Sequence, residues 1–446
     1  MKRFWLVFLS LGLVMAFSVS AFAVDVKVSG EYYAAGLYLN KTTVADKDTD
    51  PSTAFYFQRL RVGTDFIISP CLKLVTRFDA MERIWGGARS GAGTTLAIDS
   101  AGTRAENENI AFDWAYINYV SPVGTFEVGY MNYGATGTIF GNSYYPAGRI
   151  KYYSNPINNS ININADISKI KDQSYSAVTS ALGTDADNDV YSIEGTYTWK
   201  DGKGGLKIQY YRTAEKRPSP DNYKTDYFLF TPYAIAKVGP VALQAEFIYA
   251  TGNSKEYDTT SPSDVKLENF AGWIDATANL GMAYVGGTVA YVSGDDPNTA
   301  DKKEGGTVSG GRDWNPCLIM FNYYDAANWV GAISGYDATT TQGQVTGPMS
   351  NAWFFQGRVG VKPIPQLDAM LSVSYAKADK KPLGFIGDSY GWEIDATGTY
   401  KITNNLSYML GIGYLFTGDY YKGINAGGTN EVVDDFMLIN KLTLNF

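Results

Sequence analysis

Basic side chains fall at alternate positions along two closely spaced segments: Arg59 and Arg61, then Lys73, Arg77 and Arg83, with Asp65 and Asp79 in the same phase. A strand places residues i and i+2 on one face, so these groups are expected to share a face. Arginines at that spacing can grip successive carboxylates or phosphates through forked hydrogen bonds. The same spacing also suits cross-strand ion pairs with Asp65, Asp79, Asp113 and Glu127, which would leave a neutral wall. Arg149 and Lys151 follow three strands on, and Arg358 and Lys362 later. Asp166, Glu194, Glu246, Asp275, Asp368, Glu393 and Asp395 fall in the same inward phase.

Catalysis has little to work with. The chain contains no His, which removes Ser-His and Cys-His triads, Asp-His proteolytic pairs and His-ligated zinc. Nothing marks a carboxylate-only or Tyr-based enzyme, so the reading is non-enzymatic, with no cofactor and no metal. Asp185-Ala186-Asp187-Asn188-Asp189 looks like the start of a calcium loop. Val190 stands where the tight-turn Gly belongs, and Thr196 where the bidentate acid belongs. These acids, like Asp46, Asp48 and Asp50, read as solvated loop residues. Lys and Arg number 37 against 45 Asp and Glu, a formal charge of −8; removing Lys2 and Arg3 leaves −10. That balance disfavours nucleic acid as a partner.

The elements that position these charges come next. Lys2 and Arg3 precede an apolar run from Phe4 to about Val19, and Ala21-Phe22-Ala23 is a small-x-small site. Residues 1–23 read as a cleaved secretory signal peptide. No later stretch is apolar for the ~18 residues of a spanning helix, so 24–446 is expected to be secreted or to cross a membrane as one β-barrel domain. The last stretch decides between them. Phe436, Leu438, Asn440, Leu442, Leu444 and Phe446 form one face, while Lys441, Thr443 and Asn445 lie on the other. Alternation that stops at a terminal Phe resembles the closing strand of outer-membrane barrels, which makes Phe446 an assembly signal read by the barrel-assembly machinery.

Similar segments recur along the chain, about 18 of them (16 is the alternative), joined alternately by short turns and long loops. Ser69-Pro70-Cys71, Ser121-Pro122-Val123-Gly124, Asp201 to Gly205 and Gly239-Pro240 are among the short connections. That asymmetry is the pattern of an all-β, antiparallel, up-and-down transmembrane barrel with short periplasmic turns and long extracellular loops. Leu406, Tyr408, Leu410, Ile412, Tyr414 and Phe416 form a lipid-facing set, and a midplane Arg or Lys facing lipid would cost ~2–4 kcal/mol. The charges are therefore assigned inward, to a water-filled lumen. Cys71 and Cys317 fall too far apart in this map to bridge. The longest break, Ser293 to about Ser350, carries Trp314, Phe321, Tyr323 and Tyr324 within an apolar run from Cys317. An exposed loop with that much apolar surface has to pack on something, and it reads as folded into the barrel mouth as a constriction.

Phe57-Gln58-Arg59-Leu60-Arg61-Val62, the segment Leu74 to Trp85, Val292-Ser293-Gly294-Asp295-Asp296-Pro297-Asn298, Gly311-Arg312-Asp313-Trp314 and the last strand together resemble bacterial outer-membrane porins of the large, alginate-exporter type. The resemblance implies inward bases that hold an acidic saccharide, with Arg59, Arg61, Arg77, Arg83, Arg149 and Arg358 in comparable places. The many inward acids argue against an acidic polymer. The expectation is a passive outer-membrane channel of a Gram-negative bacterium for small hydrophilic or anionic solutes. A dedicated acidic-saccharide transporter and a blocked barrel serving as adhesin are the alternatives. Monomers and homotrimers share this strand pattern.

Overall fold

Strands form where the period-two alternation is unbroken and stop where Gly, Pro and Asn accumulate. The computed structural model describes residues 24–45, 51–86, 110–132, 137–142, 145–173, 186–217, 222–308, 313–337 and 344–446. The leader 1–23 and the acids Asp46, Asp48, Asp50 and Asp185 lie outside the described residues. The first half contributes β1 (Asp25–Leu39), β2 (Thr53–Ser69), β3 (Leu72–Ile84), β4 (Ala111–Ser121), β5 (Gly124–Met131), β6 (Ala147–Ser154), β7 (Ile161–Lys171), β8 (Asn188–Trp199) and β9 (Gly202–Thr213). The second contributes β10 (Tyr223–Val238), β11 (Val241–Tyr257), β12 (Val265–Leu280), β13 (Ala283–Val292), β14 (Lys302–Lys303), β15 (Ala352–Ile364), β16 (Leu367–Ala378), β17 (Ser389–Lys401), β18 (Leu406–Thr417) and β19 (Asp435–Asn445).

β14 is an accessory piece lying parallel to one end of β12. The other 18 strands pair antiparallel with their neighbours in sequence order; β13 pairs directly with β15, and β19 returns to β1. The sheet is closed, so every strand finds backbone partners on both sides, the condition for a β-structure to stand in hydrocarbon. No helix among the described residues is long and apolar enough to cross a membrane. At the seam, the Gly30 N–H donates to the Phe446 carbonyl at 2.8 Å and the Phe446 N–H returns to Gly30 at 3.0 Å. The Phe446 ring lies over Gly30, where a Cβ would come within 2.5 Å of it. The Phe446 ring thus covers a residue of β1 that leaves room for it.

The two faces separate as alternation requires. On β18, Tyr408, Leu410, Ile412, Tyr414 and Phe416 are exposed, while Gly411, Gly413 and Leu415 are buried inside. On β19, Leu442 and Leu444 point out, and Met437 and Ile439 point in. The expected hairpin loop at Asp201 to Gly205 is shorter than the glycines imply: β9 begins at Gly202, and Gly205 accepts the Tyr233 ring against its bare Cα, where a Cβ would meet it at 2.7–2.8 Å.

One of the bases assigned inward changes face. Gln58 pairs with Arg83 and Leu60 with Ala80, so Arg59 stands opposite two residues, Met81 and Glu82. Met81 has φ +57°. This bulge reverses the alternation of β3. Glu82 takes the inner face, and Arg83 shares the outer face with Gln58 at the loop end of the strand, which corrects the parity reading of Arg83.

Candidate functional site

The charged wall on β2–β4 is built from local pairs. Arg61 grips Asp79 with both arms of its guanidinium, Nε to Oδ1 at 2.6 Å and Nη2 to the other oxygen, and lies 3.6 Å from Asp113. Arg77 reaches Asp113 at 2.9 and 3.1 Å while stacking 3.7 Å above the Trp114 ring. Lys73 pairs with Asp65 at 2.8 Å. Arg59 is only 2 % exposed; it sits between the rings of Tyr33 and Tyr324, 3.6 Å from Glu31 and 3.7 Å from Glu82. Across the barrel, Arg358 forks onto Asp275 at 2.7 and 2.8 Å, in space left by Gly286. Glu127 accepts from Asn118 at 3.0 Å and Tyr153 at 3.3 Å. The interior is thus laced with opposite charges at contact distance, each limiting the other's field.

Arg149 and Lys151 do something the sequence does not announce. Arg149 donates to the carbonyls of Met131 at 3.3 Å and Tyr145 at 2.6 Å, and Lys151 donates to that of Asn132 at 2.7 Å. These carbonyls flank the loop between β5 and β6. The two bases clamp that loop at its roots.

The loop dips into the barrel, which sequence reasoning missed. Glu246 on the inner face of β11 accepts from the Thr138 N–H at 2.7 Å and its hydroxyl at 2.8 Å. Gly137 and Gly141 flank this contact; a Cβ on either would strike the Glu246 carboxylate. Phe140 stacks on Trp273 at 5.8 Å. In sequence the loop is Gly- and Tyr-rich, and nothing in it sets Ile139-Phe140 apart as an inserted piece.

The long connection from β13 to β15 also packs against the inner wall. Glu393 on β17 accepts the backbone N–H groups of Ile319 and Met320, both at 2.7 Å. Gln356 on β15 donates to the Pro316 carbonyl at 2.6 Å. Lys441 on β19 pairs with Asp325 at 3.2 Å, and Arg59 on β2 donates to the Tyr324 hydroxyl. Asn315 and Asn322 fold the segment on itself; Asn315 accepts the N–H groups of Tyr323 and Tyr324, Asn322 those of Asp325 and Ala326. Trp314 meets Phe140 and Phe354 edge-on, and Phe321 meets Phe354 and Tyr390. On β18, Gly411 and Gly413 leave the room Leu318 occupies. Asn142 donates to Asp313, joining the two inserted loops.

Beside these loops a cavity of about 990 Å³ opens against β7–β12. Lys171, Lys207, Arg212 and Lys303 contribute positive charge to its lining, Asp189 and Glu215 negative charge. Tyr145, Tyr211, Tyr227 and Tyr323 add rings, with Tyr211 and Tyr227 stacked at 4.9 Å. Of the residues the sequence singled out, Tyr323 reaches this cavity, as do Asn188, Asp189 and Val190 of the Asp-rich stretch. The β2–β4 arginines, Arg149, Lys151 and Arg358 are not in its lining, and Lys207 and Arg212 were not singled out. The Lys171 ammonium is hydrogen-bonded to Glu215 at 2.7 Å and holds that carboxyl below its ordinary value of 4.5.

A closed antiparallel barrel of this size with two loops turned into its lumen has the fold of outer-membrane porins. Solved structures with this fold include OccK2 (OpdF) of Pseudomonas aeruginosa in complex with glucuronate, at 13 % identity and TM-score 0.50 over 96 % of this chain and 99 % of that one. A BenF-like porin of Pseudomonas fluorescens Pf-5 aligns at 11 % identity and TM-score 0.51 over 94 % and 99 %. OccAB4 of Acinetobacter baumannii aligns at 11 % and 0.50 over 96 % and 100 %. At such identities the likeness concerns the fold. No family model and no curated protein matches the chain. The likeness to alginate exporters rests on the residues alone.

Proposed function

We propose that this chain is a passive outer-membrane channel for small hydrophilic solutes, with a lumen narrowed by the two inserted loops. The observation that carries the reading is the Glu393 anchor, which ties the long loop's backbone to the inner wall beside a cavity of about 990 Å³. That volume suits a small solute; ligand sites are typically ~300–1,000 Å³. Four cationic groups against two carboxylates in the lining favour small anions over cations. The glucuronate of the OccK2 structure is a solute of this kind in a barrel of the same fold. Arg61, Arg77 and Arg358 are matched by acids at contact distance, so their part is to set the shape and local polarity of the wall. A long acidic polymer fits poorly, because the inserted loops cross its path. The reading gives the protein no catalytic role, an outer-membrane location after removal of residues 1–23, and assembly through the machinery that reads terminal aromatics such as Phe446.

Reversal potentials in planar bilayers, with liposome swelling in neutral sugars and uronates, test this. Anion preference and faster uptake of small uronates than of neutral sugars of equal size are expected. Cation preference would shift the reading to the paired wall as the selective element, and absence of any current would favour a blocked barrel used as a scaffold or adhesin.

A further inference from the structure

Beneath the inserted loop lies a cluster that solute passage does not use. Glu393 and Asp395 stand at i and i+2 on the inner face of β17, 0 % and 2 % exposed, and Cys317, 4 % exposed, descends on them from the loop. One ligand atom from each lies within 4.8 Å of the other two. The Glu393 oxygens each accept one loop N–H, which leaves each a lone pair. Asp395 is less well served. Its Oδ2 accepts from Ser372 at 3.5 Å, and the Leu318 backbone N–H and the Glu393 carboxyl lie against the group, but its Oδ1, fully buried, has no well-formed hydrogen bond of its own. Gly413 on β18 keeps the spot open: a Cβ there would lie 2.7 Å from Asp395 Oδ1 and 3.4 Å from Glu393 Oε1. Among the described residues, no Lys or Arg pairs with either carboxylate.

Two adjacent buried carboxylates without a counter-charge are unfavourable, and either a shared proton or a cation relieves them. The thiol decides between these. A proton shared by oxygens gains nothing from Sγ, whereas zinc takes Cys sulfur at ~2.3 Å and carboxylate oxygen at ~2.0–2.2 Å in a four-coordinate site. We propose that Cys317, Glu393 and Asp395 bind a divalent transition-metal cation, zinc fitting the donor set best, and that the ion ties the inserted loop to β17. Binding forms the metal–sulfur bond as the Cys317 thiol releases its proton to solvent, and any proton held between the carboxylates leaves with it. A water or the Ser372 hydroxyl would complete the set. The inference rests on where the loop lies and is independent of what the lumen conducts.

The test uses the full-length chain folded in detergent, with Cys71→Ser so that the exposed turn thiol does not contribute. Folding is followed by heat-modifiable migration. The protein is equilibrated with Zn²⁺ or Cd²⁺, dialysed, and its metal counted by mass spectrometry, with Cd²⁺ also read by the ultraviolet thiolate charge-transfer band. The expected result is about one ion per chain and a cadmium band, with the band lost in Cys317→Ser and the affinity reduced at least about tenfold in Asp395→Asn. A folded barrel that retains no metal, or that retains it undiminished in Cys317→Ser, overturns the proposal. Should a variant fail to fold, alkylation of Cys317 in the Cys71→Ser protein under mild denaturant reads the same contact. Cd²⁺ should slow the labelling, and equal rates with and without it overturn the site.

Discussion

Asp79 is buried on the inner wall, and the forked guanidinium of Arg61 donates to both of its carboxylate oxygens. Removing one partner strands the other, and a broken buried pair costs about 3–5 kcal/mol. Arg61→Ala should therefore lower the stability of the folded barrel by about 3 kcal/mol in equilibrium urea unfolding, while Arg61→Met combined with Asp79→Leu recovers most of the loss. A single variant as stable as the parent would mean the pair is idle. Glu215 makes a pH prediction. Its carboxyl is held below 4.5 by the hydrogen bond from Lys171, so its charged form is favoured in the folded state. The stabilisation is fully present above pH 4.5 and is lost as pH falls through the depressed value. Protonation frees the Lys171 charge in the cavity lining. The anion preference of the parent should thus rise to meet that of Glu215→Gln only below pH 4.5, as read from reversal potentials. Merging of the two curves at higher pH would contradict the pairing.

The strands were legible because each must keep one face in hydrocarbon and the other in the lumen, and alternation that strict survives in the sequence of β16, β18 and β19. A bulge leaves no such trace. Met81 adds one residue to β3, and nothing in its type warns that Arg83 changes face. The inserted loops divide the same way. The long loop betrays itself through the apolar run from Cys317 to Tyr324, which needs a surface to cover. Among the described residues the shorter loop meets the inner wall through Thr138 and Phe140, and its anchor, Glu246, looks from the sequence like any other inward acid. The cavity lining was illegible for a related reason: Lys207 and Arg212 acquire meaning only once both loops are in place. The anchors carry a prediction of their own. Glu246→Ala removes the acceptor for the Thr138 N–H and hydroxyl, so the loop should loosen and open-channel current noise should rise. Noise equal to that of the parent would deny Glu246 its anchoring role. At the seam, Gly30→Leu places a side chain where the Phe446 ring lies, and slower conversion to the heat-modifiable folded form is expected. Conversion at the parent rate would remove Phe446 packing from the account of closure.

At the scale of the molecule, closing 18 strands gives a cylinder wide enough for a water-filled interior, and the two loops then fill part of it. In the proposed reading the wall contributes stability through paired charges, whereas the loops set what passes. The central claim is therefore that the inserted segment between β13 and β15 narrows an otherwise open tube. Single-channel conductance in planar bilayers, comparing the parent with a variant in which 313–337 is replaced by a short Gly-Ser connection, tests it most directly. The account predicts resolved, ohmic steps for the parent and markedly larger ones for the variant; steps of equal size from two folded barrels would contradict it.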